Sequence, residues 1–269
     1  MQQISENVYV ETRYDGANVS FVTTNEGVVM IDTPSRPSHA LQWRDEIAKR
    51  GEVCYLINTE HHRDHFTGNY FFTGTVVSHE ETCKEIRKFS LESVMERIQV
   101  TTDITPFMEN YQVRPPTVTF SERLNLYLGN HSFTLTHIPG HTAGQTAVYV
   151  PEEKVLFTGD AIFYNVQVWI HEGNPFHWLE SLKKIETMDV DVIVPGHGEL
   201  CDKNFLPEIS SFIKEWIDAV RDAIDQGLSK EEAMNKISFV ERYPMHQVTV
   251  SGTDLQRWNV ARIYDLMTS

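Results

Sequence analysis

Residues 58–69 read NTEHHRDHFTGN. Glu60, His62, Asp64 and His65 all carry side chains that ligate metal ions, and His61 stands among them. The stretch directly follows VCYLINT (53–59), a short apolar run of the buried-strand type. Open α/β sheets place their ligand sites at the carboxyl ends of strands. A dense group of ligand-type residues at such an end therefore points to a fold class and to a kind of site together.

Upstream, NVYVETR (7–13), NVSFVTTN (18–25) and GVVMIDT (27–33) are rich in β-branched and aromatic residues and predict strands separated by turns. A helix follows in 33–51, with Ser38 as N-cap and Gly51 as stop. Downstream, TVVSH (75–79) predicts a strand and 78–100 a helix broken near Ser90. Residues 101–116 read as an ordered loop in which Phe107, Tyr111 and Arg114 are lid candidates. Strands resume at 117–120, 124–128, 131–138, 146–150 and 154–159, with a hairpin-like turn at Gly129-Asn130. Helix 175–188 and strand 191–196 precede a helical last third, at 205–226, 229–237 and 253–267. The last two helices open with capping boxes, Ser229-Lys-Glu-Glu and Thr253-Asp-Leu-Gln. With no fixed-period repeat and no low-complexity linker, residues 1–269 read as a single domain, strands sandwiched between helices in two βα halves.

The 269 residues carry a formal net charge of -15. Nucleic-acid binding rests on counterion release by Lys and Arg, so an acidic chain argues against that partner. The three cysteines, Cys54, Cys83 and Cys201, are far apart and form no CxxC, which speaks against a disulfide framework or a cysteine zinc site. MQQISENVYV lacks the basic and apolar regions of a signal peptide, and no apolar run approaches transmembrane length. The expectation is a cytoplasmic protein with a small-molecule substrate, no membrane partner, and a homodimer as the oligomer left open.

Ligand-type residues recur at other strand ends. His141 lies in HIPGHTAGQ (137–145), Asp160 ends VLFTGD (155–160), and His197 sits in VIVPGHG (192–198). Glycine-rich turns surround all three. A lone histidine would carry little weight, but four strand-terminal groups and a six-residue cluster do. Six or seven imidazoles and carboxylates exceed what one tetrahedral ion needs and suit two ions sharing a bridging carboxylate.

Together these residues resemble the metallo-β-lactamase superfamily, whose first motif reads HxHxDH and is followed by separate His, Asp and His motifs. Here the motif is Glu60-His61-His62-Arg63-Asp64-His65, followed in order by His141, Asp160 and His197; Asp32, in MIDT, resembles the family's early structural Asp. The resemblance covers most of the chain. It implies an α/β fold, a four-layered αβ/βα sandwich with a metal cleft between the sheets. It also implies that His62, His141 and Glu60 serve a first metal site, that Asp64, His65 and His197 serve a second, and that Asp160 bridges them. The cofactors would be two divalent ions, zinc first, with iron or manganese as alternatives. A hydroxide between the ions would attack the substrate, with Asp64 orienting it and taking its proton.

Glu60 departs from the family pattern. Three readings stand: it ligates the first ion as a hard oxygen donor, it swings away to Arg63 or another cation, or the site is degenerate and only binds. Around the cluster, His61 is expected to point away from the metals, and His137 either supports His141 or packs within its strand. The segment AIFYNVQVWIHEGNPFHW (161–178) offers Tyr164, Trp169, His171, His177 and Trp178 as pocket candidates, with Trp178 the most core-like. Tyr164 is the candidate to donate to an oxyanion or leaving group. His246 leaves two readings open, cleft closure or a dimer contact.

The functional expectation is a metal-dependent hydrolase acting on a small lactone, thioester, ester or amide ring. Three alternatives are an iron-dependent oxidoreductase of the same superfamily, a β-lactamase-like amidohydrolase with a variant zinc site, and a nuclease or phosphodiesterase. The last would need a basic exosite that the sequence does not display.

Overall fold

Runs such as VSFVTT at Val19–Thr24 and GVVMI at Gly27–Ile31 bury residues on both faces, because each strand has a packed layer on either side. The computed structural model describes residues 1–94, 110–246 and 250–269. Among the described residues two sheets form. In the first, β1 (Gln2–Gln3), β2 (Val8–Glu11), β3 (Val19–Thr24), β4 (Gly27–Ile31), β5 (Val53–Ile57), β6 (Thr75–His79) and β7 (Val118–Phe120) lie in chain order. Pairing is antiparallel from β1 to β4 and parallel from β4 to β7. The second sheet runs β12-β11-β10-β9-β8, built from β8 (Arg123–Leu128), β9 (His131–His137), β10 (Thr146–Val150), β11 (Val155–Phe163) and β12 (Val192–His197). Its one parallel pair is β11 with β12.

Val10, Val22, Ile31, Ile57 and Val77 of the first sheet meet Phe133, Leu135, Val148, Phe157 and Val194 of the second in a shared apolar layer. Helix Pro37–Ala48 covers the outer face of the first sheet, with Trp43 and Ile47 against Phe21, Met30 and Leu56. On the other side, helix Leu206–Asp225 buries Ile209, Phe212, Ile213, Trp216, Ile217 and Val220, a stripe at three- and four-residue spacing. It packs with helices Pro175–Glu186 and Gly252–Thr268 over the second sheet. The layers run helix, sheet, sheet, helix, which is the expected αβ/βα sandwich.

Several local expectations are corrected. Helix Pro37–Ala48 begins at a proline preceded by Arg36, with no side-chain cap, so Ser38 lies inside it. Helix Gly252–Thr268 is capped by Ser251, whose hydroxyl accepts from the Asp254 amide; this hydroxyl, two residues upstream, supersedes Thr253. The Ser229 capping box forms as expected. The expected break near Ser90 is present, with helix at Glu80–Ile86 and again over 91–94, and the stretch 95–109, with Phe107, lies outside the described residues. Tyr111 and Arg114 act as anchors rather than as a lid. The Tyr111 hydroxyl donates to the Thr67 carbonyl, and the Arg114 guanidinium caps the carbonyls of Asn69, Phe72 and Gly74.

The sheets are tied together at one end. The Thr146 amide donates to the Thr59 carbonyl at 2.8 Å, and the Asn18 amide donates to the Gly196 carbonyl at 2.7 Å. The Asn18 side-chain amide also donates to the Pro195 carbonyl. Those bonds fix the ends of β5 and β12 and the turn before β10, where the ligand-type residues emerge.

Candidate metal centre

Glu60 follows β5 after two buried residues, Asn58 and Thr59, and is itself fully buried. The single helical turn Arg63–Phe66 then carries Asp64 and His65. His141 lies in the turn between β9 and β10, and His197 is the last residue of β12. Asp160 is inside β11 rather than at its end. The pairing of β11 with β12 is irregular between Phe157 and Phe163, and Gly159 takes φ 50°, a left-handed conformation that glycine tolerates. This irregularity turns the Asp160 carboxylate towards the cluster. A Cβ at Gly196 would collide with that carboxylate, so the opposing strand must be glycine there.

Glu60, His62, His141 and Asp160 converge as one group, and Asp64, His65 and His197 as another. Glu60 faces the histidines, not Arg63: its Oε1 lies 2.8 Å from His62 Nδ1, 3.1 Å from His65 Nε2 and 3.9 Å from His141 Nε2. Its Oε2 accepts from the His62 amide. Asp160 spans both groups, with Oδ1 3.3 Å from His65 Nε2 and Oδ2 3.4 Å and 3.3 Å from His141 Nε2 and His197 Nε2. Asp64 Oδ2 is 3.4 Å from His197 Nε2.

Outer partners settle which ring nitrogen faces inward. His141 donates from Nδ1 to the Trp169 carbonyl at 2.7 Å, leaving a lone pair on Nε2. His65 directs Nδ1 at Asp32 Oδ2, 2.9 Å away, and so turns Nε2 to the cluster. Asp32 is buried and held at φ 56° by bonds to the Thr59 amide and hydroxyl. This backbone region is tolerated by Asp but unusual for it. His62 Nδ1 and His141 Nε2 stand 3.0 Å apart, with the Glu60 carboxylate against them. At that separation the two nitrogens share a proton in the bare chain, at a position a metal cation would take when bound. Glu60 Oε1, His65 Nε2 and Asp160 Oδ1 are also buried without hydrogen-bond partners. This donor set of imidazole and carboxylate suits divalent zinc, iron or manganese.

The electrostatics say the same. Burial alone would push the Glu60 carboxyl up, but His62 and His65 outweigh it and hold Glu60 far below the usual carboxylate range. Burial opposes charge on His62 too, yet Glu60 and Glu172 hold it well above the usual imidazole range. Asp160 is likewise held low against burial by His197 and His65. Clustered carboxylates deep in the protein demand positive charge among them. Imidazole protons supply it in the bare chain, at the positions metal cations would take.

The cluster floors a cavity of about 220 Å³, whose lining includes Phe163, Trp169, His171, His246, Val250 and Trp258. His246 closes the cleft, its ring 4.6 Å from that of His197. Trp169 and His171 line the cavity as expected, whereas Trp178 is core, its indole donating to the Ala161 carbonyl. His177 lies on the first turn of helix Pro175–Glu186, away from the cavity lining. His137 does not support His141; it stacks on His79 and donates to the Ala143 carbonyl. Tyr164 is not brought to the cluster. Phe163 turns inward and stacks on His197, so the next side chain along points away, and Tyr164 packs edge-on against Phe205 in a separate cavity. His61 is half-turned rather than remote, its Nε2 3.1 Å from Glu172 Oε1. Glu172, Phe163, Val250 and Trp258 are residues sequence reasoning missed. An acid beside His171 in an aromatic loop was the available signal for Glu172; Trp258 had none, lying on a helix distant in sequence from every ligand motif.

A family model described as the metallo-beta-lactamase superfamily matches residues 12–197, a span that holds every candidate ligand. The chain is 27% identical over 202 residues to an acyl-coenzyme A thioesterase of Bos taurus, covering 67% of this chain and 72% of that protein. It is 26% identical over 187 residues to a hydroxyacylglutathione hydrolase of Brucella anthropi, covering 67% and 63%. Among solved structures, a metallo-beta-lactamase family protein from Thermus thermophilus superposes with a TM-score of 0.68 at 18% identity, over 97% of this chain and 92% of that one, a likeness of fold.

Proposed function

Because the chain belongs to the metallo-β-lactamase superfamily, we propose that it is a hydrolase of small acyl esters and thioesters whose two ligand clusters hold two divalent ions, zinc first. The observation that carries this reading is the convergence of His62 Nδ1 and His141 Nε2 beside Glu60, joined through Asp160 to Asp64, His65 and His197. Divalent ions bound there would polarise a carbonyl oxygen and acidify water. Asp64 is the most accessible cluster carboxylate, its side chain 20% exposed against 0% for Glu60 and 5% for Asp160. It therefore orients the nucleophile and takes its proton, while Glu60 and Asp160 hold the centre. Trp169, Trp258 and Val250 exclude water and receive the apolar part of the acyl group. The choice of acyl substrates draws on the two curated relatives, both named for hydrolysing acyl compounds.

The test is to strip the protein with chelator and reload it with Zn(II), Mn(II) or Fe(II). Each form is then assayed on thioester, lactone, ester, β-lactam and phosphodiester substrates. Zinc should restore thioester or ester turnover, without need of oxygen. Full activity in the stripped protein, or turnover only with iron and oxygen, would sink the reading.

Two substitutions probe parts of it. Glu60→His replaces an anionic oxygen donor by the imidazole of the usual motif. First-site zinc affinity should hold or rise in a competition titration; a folded variant that loses all zinc counts against Glu60 as a ligand. Trp258→Ala removes an aromatic side chain, 43% exposed, from the cleft mouth. Partial loss of its apolar contact is worth about 1 kcal/mol, so KM for a benzoyl thioester should rise roughly fivefold with little change for an acetyl one. Equal effects on both would remove Trp258 from the acyl pocket.

A further inference from the structure

Glu172 lies in the loop after β11, outside the HxHxDH-like motif and the strand-end ligands, in a turn where the Gly173 amide donates to the Ile170 carbonyl. Its Oε1 is 3.0 Å from His62 Nε2 and 3.1 Å from His61 Nε2. A single carboxylate oxygen thus lies within ion-pair distance of two neighbouring histidines of the motif. The His171 ring stacks over His62 at 5.6 Å and 22°, shielding the contact on one side. In the neutral rings a metal ion requires, outward donation from His62 Nε2 towards Glu172 and from His141 Nδ1 to the Trp169 carbonyl would leave His62 Nδ1 and His141 Nε2 free to ligate.

Given the metal-centre reading above, on which this rests, we infer that Glu172 is a positioning residue for the first metal site: it takes the Nε2 proton of His62 as a hydrogen bond, fixes the tautomer that presents Nδ1, and holds the ring against Glu60 and His141. Metal-ligating histidines commonly need such a partner on the other nitrogen, and its loss typically costs 10- to 100-fold in affinity. The motif alone does not encode this arrangement, because Glu172 lies more than a hundred residues beyond His62 in the chain. His61 has a share in it. Lying 3.1 Å from the same oxygen, it flanks the carboxylate on the second side, which gives the residue between two ligands a definite task.

The experiment is stepwise zinc binding to the stripped protein by competition with a chromophoric chelator, in wild type, Glu172→Ala and Glu172→Gln. Glu172 is 39% exposed at its side chain, so its replacement leaves the fold intact, and the melting temperature of the stripped variants checks this. Glu172→Ala should weaken one of the two zinc steps about 10- to 100-fold and leave the other within threefold. Glu172→Gln keeps an acceptor oxygen without the charge and should recover most of that loss, which a merely space-filling role would not require. Wild-type affinity at both steps in Glu172→Ala overturns the inference while the metal centre stands. Failure of wild type itself to bind zinc overturns the metal centre, and the inference with it.

Discussion

Asp32→Asn should leave the chain folded and yet cost on the order of 10²- to 10⁴-fold in kcat, because it reverses the tautomer of one histidine. Asp32 accepts from the Thr59 amide and hydroxyl and from His65 Nδ1, so every bond it makes in this corner is as an acceptor. An asparagine can keep the Thr59 amide bond through its oxygen. Its NH₂ group then meets His65 Nδ1 and cannot accept from it. His65 must shift its proton to Nε2, the nitrogen that lies 3.1 Å from Glu60 and 3.3 Å from Asp160 in the cluster. A protonated Nε2 has no lone pair for a metal ion. Zinc titration of the stripped variant should show the second site weakened more than tenfold, with the first nearly unchanged. The amide isostere keeps the volume and one anchor of a buried residue, so circular dichroism should remain that of the wild type. A variant that keeps both zinc steps and its full turnover would show that Asp32 does not set the orientation of His65.

Asp160→Ala should cost at least ~10³-fold in kcat/KM, equivalent to about 4 kcal/mol of transition-state stabilisation. Asp160 touches His65, His141 and His197 and is the carboxylate that links both ligand groups. Its removal deletes one donor from the first group and separates it from the second. Tight zinc should drop from two equivalents to one or none, measured by metal analysis after dialysis. The stripped variant should also bind protons less strongly at His65 and His197, because Asp160 is among the groups that raise both pKa values against burial. Two retained equivalents with activity within tenfold of wild type would exclude Asp160 as the shared ligand.

Much of the candidate site is legible in the sequence. Glu60, His62, Asp64 and His65 are adjacent in the chain, and His141, Asp160 and His197 each sit next to a glycine-marked turn. Short-range signals of this kind survive in sequence, because strand ends and turns have local composition. The misreadings are also local in origin. Tyr164 stands one residue from an inward-facing position, and strand alternation turns it to the opposite face beside Phe205. Asp160 reads as the end of a strand that in fact runs on to Phe163, because a glycine at positive φ looks like a stop although it bends the strand without ending it.

The amino-acid order alone was enough for the layering, the seven ligand-type residues and the anionic character of position 60, since these follow from hydrophobic period, turn chemistry and residue identity. How those residues are used came from the packing in three dimensions. It brought Asp32 to His65, Glu172 to His62 and the Trp169 carbonyl to His141, contacts that span 33, 110 and 28 residues of chain. It also carried Trp258 and His246 from beyond residue 197 to the mouth of the cleft. A ring nitrogen's role depends on the hydrogen bond its other nitrogen makes, and that partner is set by how two sheets and their covering helices pack, which no local pattern records.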